Sequence, residues 1–529
     1  MSSTVLHPSG TVSYHEPSLP SILTLVSLIY FLNLARNVAD YLLGAGLLGE
    51  VAIGVIYGPV AKILPIEWEQ TFLALGYLGL ILIVFEGGLT LEVSSFLPLL
   101  PLSFLSALIG ILLPLSFTFA LFSSSNYSYP PLQAFTAGSA LASTSLGTTF
   151  FVLKSAGNGL AKTKIAQVLK GAALADDIVA LVLLSVIQSL ATGEEGAGGG
   201  NLGWTIGRPI VASIGMCLIS PLVIWYILRP IFNTRRVKSW VEKGGKSLKL
   251  FLGVSILSAY LAIAYYTGTT VLLGAFLAGV TLPFLSPSPS NPSEVSTTTP
   301  TFYQLYELYI EPLQTYLLVP FFFGSIGFSV PFLQLWNGEI VWKGIVYSVL
   351  MTLGKILVGV CVVLNDTILT YFNKSRNLSF QEKVEENKIV KENGNDSFST
   401  PLPPPKNTSA ELASPPSFST TTTLPTHTRT TIFDASFMSE TLPAALFLGL
   451  ALVARGEIGI LVLQVAYNSN DSSTSSSSSS TSSSSVLSTE PYLISIWSVA
   501  VCTIVGPVAF ARLVKSEWGR KGVLKGKWN

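Results

Sequence analysis

Charge is scarce in this chain: Asp, Glu, Lys and Arg make up 11% of its 529 residues, against about 25% in an ordinary soluble domain. With 49% of the residues hydrophobic, that shortage argues against a soluble globular protein. The net charge is only +1, so no excess of one sign points to nucleic acid or another polyanion as partner. Cysteine is nearly missing as well. Cys217, Cys361 and Cys502 each lie inside an apolar run and no CxxC occurs, which excludes a disulfide framework or a thiolate metal site. His7 and His15 sit in a polar N-terminal tail, and no cofactor is expected. The first twenty residues contain no Lys or Arg, so no secretory n-region is expected ahead of the first apolar run.

What the chain does have is a succession of long apolar runs. Thirteen candidate membrane spans are expected, at 20–43, 46–63, 70–91, 101–123, 131–154, 165–190, 207–229, 249–267, 270–285, 309–333, 340–364, 441–467 and 491–514. The fold class is therefore an all-α polytopic membrane protein in contact with a lipid bilayer. Every strongly basic segment follows an odd-numbered span: Lys154 to Lys164, Arg235 to Lys246, Lys374 to Lys391 and Arg520 to Lys527. By the positive-inside rule the N-terminal tail (1–19) is external and the tail at 515–529 cytoplasmic. An odd number of spans requires opposite ends, so count and charge agree. Residues 365–440 read as a disordered cytoplasmic linker, and 468–490 as a serine-rich external loop.

An internal echo suggests how the spans are arranged. Gly49 to Pro59 reads GEVAIGVIYGP in span 2, and Gly274 to Pro283 reads GAFLAGVTLP in span 9. An offset of seven spans inverts the topology. Inverted six-helix repeats, spans 1–6 on 8–13 with span 7 as connector, are the expected architecture. Span 5 then corresponds to span 12.

The polar residues inside these spans carry the chemistry. Span 6 holds Asp176 and Asp177 near its middle, Asp176 being about 14 Å from one end and about 21 Å from the other. One ionised carboxylate at that depth costs roughly 3 kcal/mol on insertion scales. A proton and cation site accounts for the pair; a structural ion pair is the alternative. Span 5 contains a stretch from Gly138 through Ser143, Thr144 and Ser145 to Thr149, rich in small hydroxyl residues that suit a broken helix facing a cation or, equally, close helix packing. In span 12, Arg455 and Glu457 flank Gly456, again suggesting an interruption. Arg455 serves there either in transport or by neutralising the carbonyl ends of broken helices. Lys355 in span 11 lies too deep to snorkel and wants a carboxylate, with Asp176 and Asp177 both candidates. Glu50 is a candidate for the ion path, Glu86 reads as structural, and Arg36 and Asp40 are spaced to pair on one face of span 1.

At these residues the chain resembles the monovalent cation/proton antiporter (sodium/hydrogen exchanger) family, particularly its electrogenic two-aspartate branch. The resemblance covers nearly all thirteen spans. It rests on the Asp176-Asp177 pair, the break at Thr144-Ser145, the deep Lys355, Arg455-Gly-Glu457 and the Gly-rich span 2. It implies a homodimer with spans 1–3 and 8–10 as scaffold. Spans 4–6 and 11–13 form the mobile core, with spans 5 and 12 crossing as broken helices. By position it makes Asp177 the ligand of the transported cation and the proton, pairs Asp176 with Lys355, and sets Thr144 at the ion site. The two polar linkers depart from bacterial relatives. Gating by a nucleotide-binding domain after span 13 is not expected. The implied activity is exchange of Na+, K+ or Li+ for protons by alternating access, without enzymatic chemistry. A cation channel of similar build is the alternative. An intramembrane aspartyl protease needs two aspartates facing each other from different helices, whereas here both lie on one.

The topology makes a direct prediction. Asn126 and Asn470 begin acceptor sequons in loops placed outside, while Asn395 and Asn407 lie in the cytoplasmic linker. Expressed in a eukaryotic host and analysed by glycopeptide mass spectrometry, the protein should carry glycan only on the first pair. Glycan on Asn395 or Asn407 would invert the topology.

Overall fold

The computed structural model describes residues 16–43, 46–90, 99–144, 160, 163–191, 202–234, 236–237, 241, 243–285, 301–368, 441–468 and 486–525. Among these every regular element is helical and no strand occurs. In chain order the helices are α1 (Leu19–Leu43), α2 (Gly46–Val55), α3 (Ile66–Leu89), α4 (Leu100–Phe122), α5 (Pro131–Ala142) and α6 (Lys164–Ala191). Then come α7 (Leu202–Val223), α8 (Gly245–Thr267), α9 (Val271–Leu285), α10 (Phe302–Tyr309), α11 (Val319–Ser329) and α12 (Gly338–Ile356). The last four are α13 (Leu442–Ala451), α14 (Glu457–Asn468), α15 (Thr489–Lys515) and α16 (Glu517–Lys525). A 3-10 turn at Leu357–Gly359 carries α12 onward to Ile368, and a π turn at Gln314–Leu318 leads into α11. Eight helices among the described residues are long and apolar enough to cross a membrane. Each expected span coincides with helix, span 5 in its first half.

Local chemistry explains where several helices start and stop. Thr301 opens α10 with a reciprocal capping box to Gln304, and the Asn337 side chain accepts from Glu339 N at the start of α12. Gly268 closes α8 at φ 80°, a left-handed conformation that costs glycine nothing, and the chain re-enters the bundle as α9. Spans 5 and 12 behave differently. Helix α5 halts at Ala142, with Ser143 extended at φ −61°, ψ 148°, and α13 halts at Ala451 five residues before α14 begins. The interruption expected in span 12 is present; in span 5 the helix ends where one was expected, and residues 145–159, on which the rest of that expectation falls, lie outside the described residues.

Glycine contacts establish the internal repeat. A methyl group at Gly49 would overlap the Ala35 carbonyl of α1; one at Gly274 would meet the Tyr260 carbonyl of α8. Gly49 to Gly274 and Ala35 to Tyr260 are the same displacement along the chain. Gly54 and Gly279, again so displaced, lie against the carbonyls of Gly324 and Phe85. In return Gly327 abuts Val51 O and Val55 N, while Gly88 abuts Phe276 O and Val280 N. Thus α2 sits between α1 and α11 as α9 sits between α8 and α3. Backbones approach this closely only where Cβ is missing, and in lipid such packing replaces the hydrophobic drive.

A second set of helices packs together: α4 on α5, α6 and α12, α15 on α12 and α13, and α14 on α5 and α6. The chain ends that flank residues 369–440 meet within this set, Thr441 Oγ1 donating to Asp366 Oδ2 at 2.7 Å. A long insertion between two such neighbours costs little extra loop-closure entropy. Helix α16 was not expected. The sequence reads there as tail, but Val523 is 1% exposed against the bundle.

If the repeat is as described, equivalent glycines should be equally intolerant. Gly54→Val and Gly279→Val should each destabilise the detergent-solubilised protein by about 1–3 kcal/mol or more through overpacking, read as a fall in thermal unfolding midpoint. Gly87, with nothing near its Cβ position, should accept alanine without loss.

Candidate functional site

The two helix breaks meet. Gly459 on α14 packs against the Ala140 carbonyl of α5, where a methyl group would also stand 2.9 Å from Ser143 Oγ. Arg455, 0% exposed, reaches from one break to the other: its Nη1 donates to Ser143 O at 3.0 Å and lies 3.4 Å from Ala142 O. These carbonyls lie at the C-terminal end of α5, so a fixed cation there complements both their hydrogen-bonding and the negative end of the helix dipole. The Arg455 carbonyl is held in turn by Thr503 Oγ1 of α15 at 2.9 Å.

Beside this crossing lies a buried ion pair. Lys355 Nζ is 2.6 Å from Asp176 Oδ2, and both side chains are 0% exposed. Thr144 Oγ1, the last described residue of the span-5 break, donates to Asp176 Oδ2 at 2.8 Å and accepts from Lys355 Nζ at 3.0 Å. The same hydroxyl is 3.5 Å from the Leu452 carbonyl in the other break. One carboxylate, one ammonium and one hydroxyl from three helical segments thus close a small ring. Asp177, the next residue along α6, is buried at 6% exposure. Asp176 Oδ1 is inaccessible and has no hydrogen-bond partner among the described residues.

Room for the pair comes from a residue that sequence reading passed over. At Gly110 of α4, an added methyl group would sit 3.3 Å from Lys355 Nζ and 3.6 Å from Asp176 Oδ1. Nothing in the local sequence, an apolar helix with one glycine, announces that contact. Thr118 and Tyr347, hydrogen-bonded at 2.8 Å, similarly tie α4 to α12 below the pair.

Of the residues singled out from sequence, Asp176, Asp177, Thr144, Lys355 and Arg455 are brought to this crossing. Ser145 lies outside the described residues, as does the side chain of Glu457, whose backbone opens α14. Glu50 lies in a different cluster. It is 1% exposed on α2, with Oε1 3.6 Å from Arg36 Nη1 of α1. Arg36 also donates to Thr315 O at 2.6 Å, while Asp40 accepts from Gly46 N at 2.6 Å. The expected Arg36–Asp40 pair is thus replaced: α2 folds back on α1 and brings Glu50 to the arginine, leaving Asp40 to the turn. Glu86 accepts from Gln314 Nε2 at 2.7 Å, in keeping with a structural role.

A family model described as "Sodium/hydrogen exchanger, transmembrane" matches residues 24–380. This chain belongs to the sodium/hydrogen exchanger family. Among curated members, the probable Na+/H+ antiporter GerT of Bacillus cereus is 23% identical over 336 residues, 63% of this chain and 80% of the relative. The Na+/H+-K+ antiporter GerN of the same organism is 27% identical over 332 residues, covering 61% of this chain and 75% of the relative. The high-affinity Na+/H+ antiporter NhaS3 of Synechocystis is 28% identical over 207 residues, 39% of this chain and 42% of its own. The solved sodium proton antiporter MjNhaP1 from Methanocaldococcus jannaschii shares the fold, with a TM-score of 0.52 and 14% identity across 96% of this chain and 98% of its own.

The space at Gly110 can be tested apart from transport. Gly110→Val should push the ammonium off its carboxylate and lower the thermal unfolding midpoint, a loss of roughly 1–3 kcal/mol. The same substitution in a background with Lys355→Met should cost clearly less, because the crowded ammonium is gone.

Proposed function

We propose that the chain is an electrogenic secondary antiporter that exchanges Na+ or K+ for protons, with Li+ a further candidate, at a site built on Asp177 and Asp176. The observation that carries this reading is the Lys355–Asp176–Thr144 ring, buried where the end of α5 meets the break between α13 and α14, with Asp177 beside it. Family membership and the names of the curated relatives support the reaction class. The name of GerN, with K+ beside Na+, supports breadth of cation.

The chemistry follows from burial. A carboxylate away from water is stabilised either by a proton or by a metal ion, and the two compete for the same oxygens. Asp177 takes the proton or the cation. Thr144 and backbone carbonyls of the breaks supply neutral oxygens of the kind that hard cations prefer. Asp176 holds Lys355 when no cation is bound. An arriving cation competes for Asp176, so the ammonium must be released or give up its proton, and charge moves with the cycle. Arg455 stays as the fixed counter-charge of the α5 carbonyls.

Movement follows the division of the packing. In this proposal α1–α3 and α8–α11 form the scaffold, which also carries the homodimer contact, and α4–α6 with α12–α15 form the mobile core. Only a core whose site is loaded with cation or proton crosses between the two faces, so flux of one ion requires flux of the other. The N-terminus lies outside and the C-terminus in the cytoplasm.

The test is proton movement in proteoliposomes with each cation added in turn. Na+ or K+ should drive proton efflux from wild-type vesicles, and Asp177→Asn should abolish it, more than a hundred-fold in rate by the usual loss of a group acting in the rate-determining step. Cation current through wild-type protein without coupled proton flux would instead mean a channel.

A further inference from the structure

One end of the bundle carries a surface that the exchange site does not use. After α15 the chain turns at Ser516 (φ −69°, ψ 140°) and runs on as α16. The inner face of α16 is small and apolar. Gly519 abuts the Leu513 carbonyl, and Val523 and Leu524 join the apolar cluster that holds Phe447 and Leu448 of α13 and Ile165 and Leu169 of α6. Its outer face exposes Trp518, Arg520 and Lys521. Around it the last turn of α15 exposes Arg512 and Lys515, and the start of α6 exposes Lys164 and Lys170. The acids among the described residues here are Glu517, paired with Lys521 at 2.7 Å, and Asp366, which accepts from Thr441.

We propose that this surface binds the headgroups of acidic phospholipids, and that the contact sets the rate of exchange through α13. An amphipathic helix leaving the end of a spanning helix lies at headgroup level, where a tryptophan among cations is at home. The cations are spread along a surface that flanks three helix ends and do not converge on a pocket. That spacing suits several headgroups of a bilayer and not one soluble phosphate. Coupling has a short route: α16 packs on α13, and α13 runs directly into the break that carries Arg455. A headgroup that pins α16 to the bilayer surface steadies the half-helix that is followed by Leu452, whose carbonyl lies 3.5 Å from Thr144 Oγ1 of the ring. The rate effect rests on the antiport reading; lipid binding does not.

Two measurements on the full-length protein decide it. Delipidated protein in neutral detergent is heated with added phosphatidylserine, phosphatidylcholine or inorganic phosphate. Phosphatidylserine alone should raise the unfolding midpoint, and the triple variant Lys515→Gln, Arg520→Gln, Lys521→Gln should lose that rise while unfolding normally without lipid. A rise in the variant equal to wild type, or an equal rise with phosphatidylcholine, overturns the site; an equal rise with inorganic phosphate overturns its assignment to lipid. Exchange is then compared in vesicles of phosphatidylcholine with and without phosphatidylserine. Wild type should run on the order of three- to ten-fold faster with phosphatidylserine at low salt, and the triple variant should run at the phosphatidylcholine rate in both. A variant accelerated as much as wild type would assign the effect to surface potential and overturn the coupling. Absence of exchange in every vesicle would count against the antiport reading, and the thermal measurement would still decide lipid binding.

Discussion

A lysine and an aspartate buried together, away from bulk solvent, are the constraint on which the rest of this structure depends. Each ion alone would cost several kcal/mol to remove from water, and their attraction offsets that only with good geometry and further hydrogen bonds. Lys355 and Asp176 meet those terms through a 2.6 Å contact and a shared Thr144 hydroxyl. That hydroxyl is available because α5 stops at Ala142; a continuous helix would place Thr144 on its own backbone ladder. The pair therefore requires the break, and the break requires Arg455 to satisfy the carbonyls it strands. Gly110 completes the arrangement by leaving space beside the ammonium. Chemistry and backbone interruption are one design here, not two.

The helices around this centre are held by backbone proximity. Gly49, Gly54, Gly274 and Gly279 permit contact between main chains, and they do so at matched positions of two half-molecules. The polar groups do not follow that symmetry. Glu50 and Arg36 have no charged counterparts on α9 and α8, where Ala275 and Leu261 stand at the same displacement. The repeat thus supplies the frame, and single substitutions within it supply the charge.

Much of this was legible in the sequence because charge in an apolar run is conspicuous. Asp176, Asp177, Lys355 and Arg455 could be picked out one by one, and the spans could be counted. Partner choice was less legible. Arg36 and Asp40 satisfy a helical spacing rule, yet the return of α2 brings Glu50 to Arg36, which no local pattern encodes. Gly110 looked like any glycine in a membrane helix, since its importance depends on a neighbour far along the chain. Helix α16 escaped notice because its two glycines and charges read as tail; only docking on the bundle gives its short apolar side a partner. Tertiary contact decided each of these cases.

The central claim is that Lys355 and Asp176 are energetic partners, and a double-mutant cycle measures that directly. Thermal stability in detergent would be compared for wild type, Asp176→Asn, Lys355→Gln and the double variant. Removing Asp176 alone strands a buried ammonium and should cost roughly 3–5 kcal/mol, whereas the double variant strands no charge. The account predicts a double variant more stable than Asp176→Asn, with a coupling energy well above the ~0.5 kcal/mol of independent sites. Losses that simply add would contradict it.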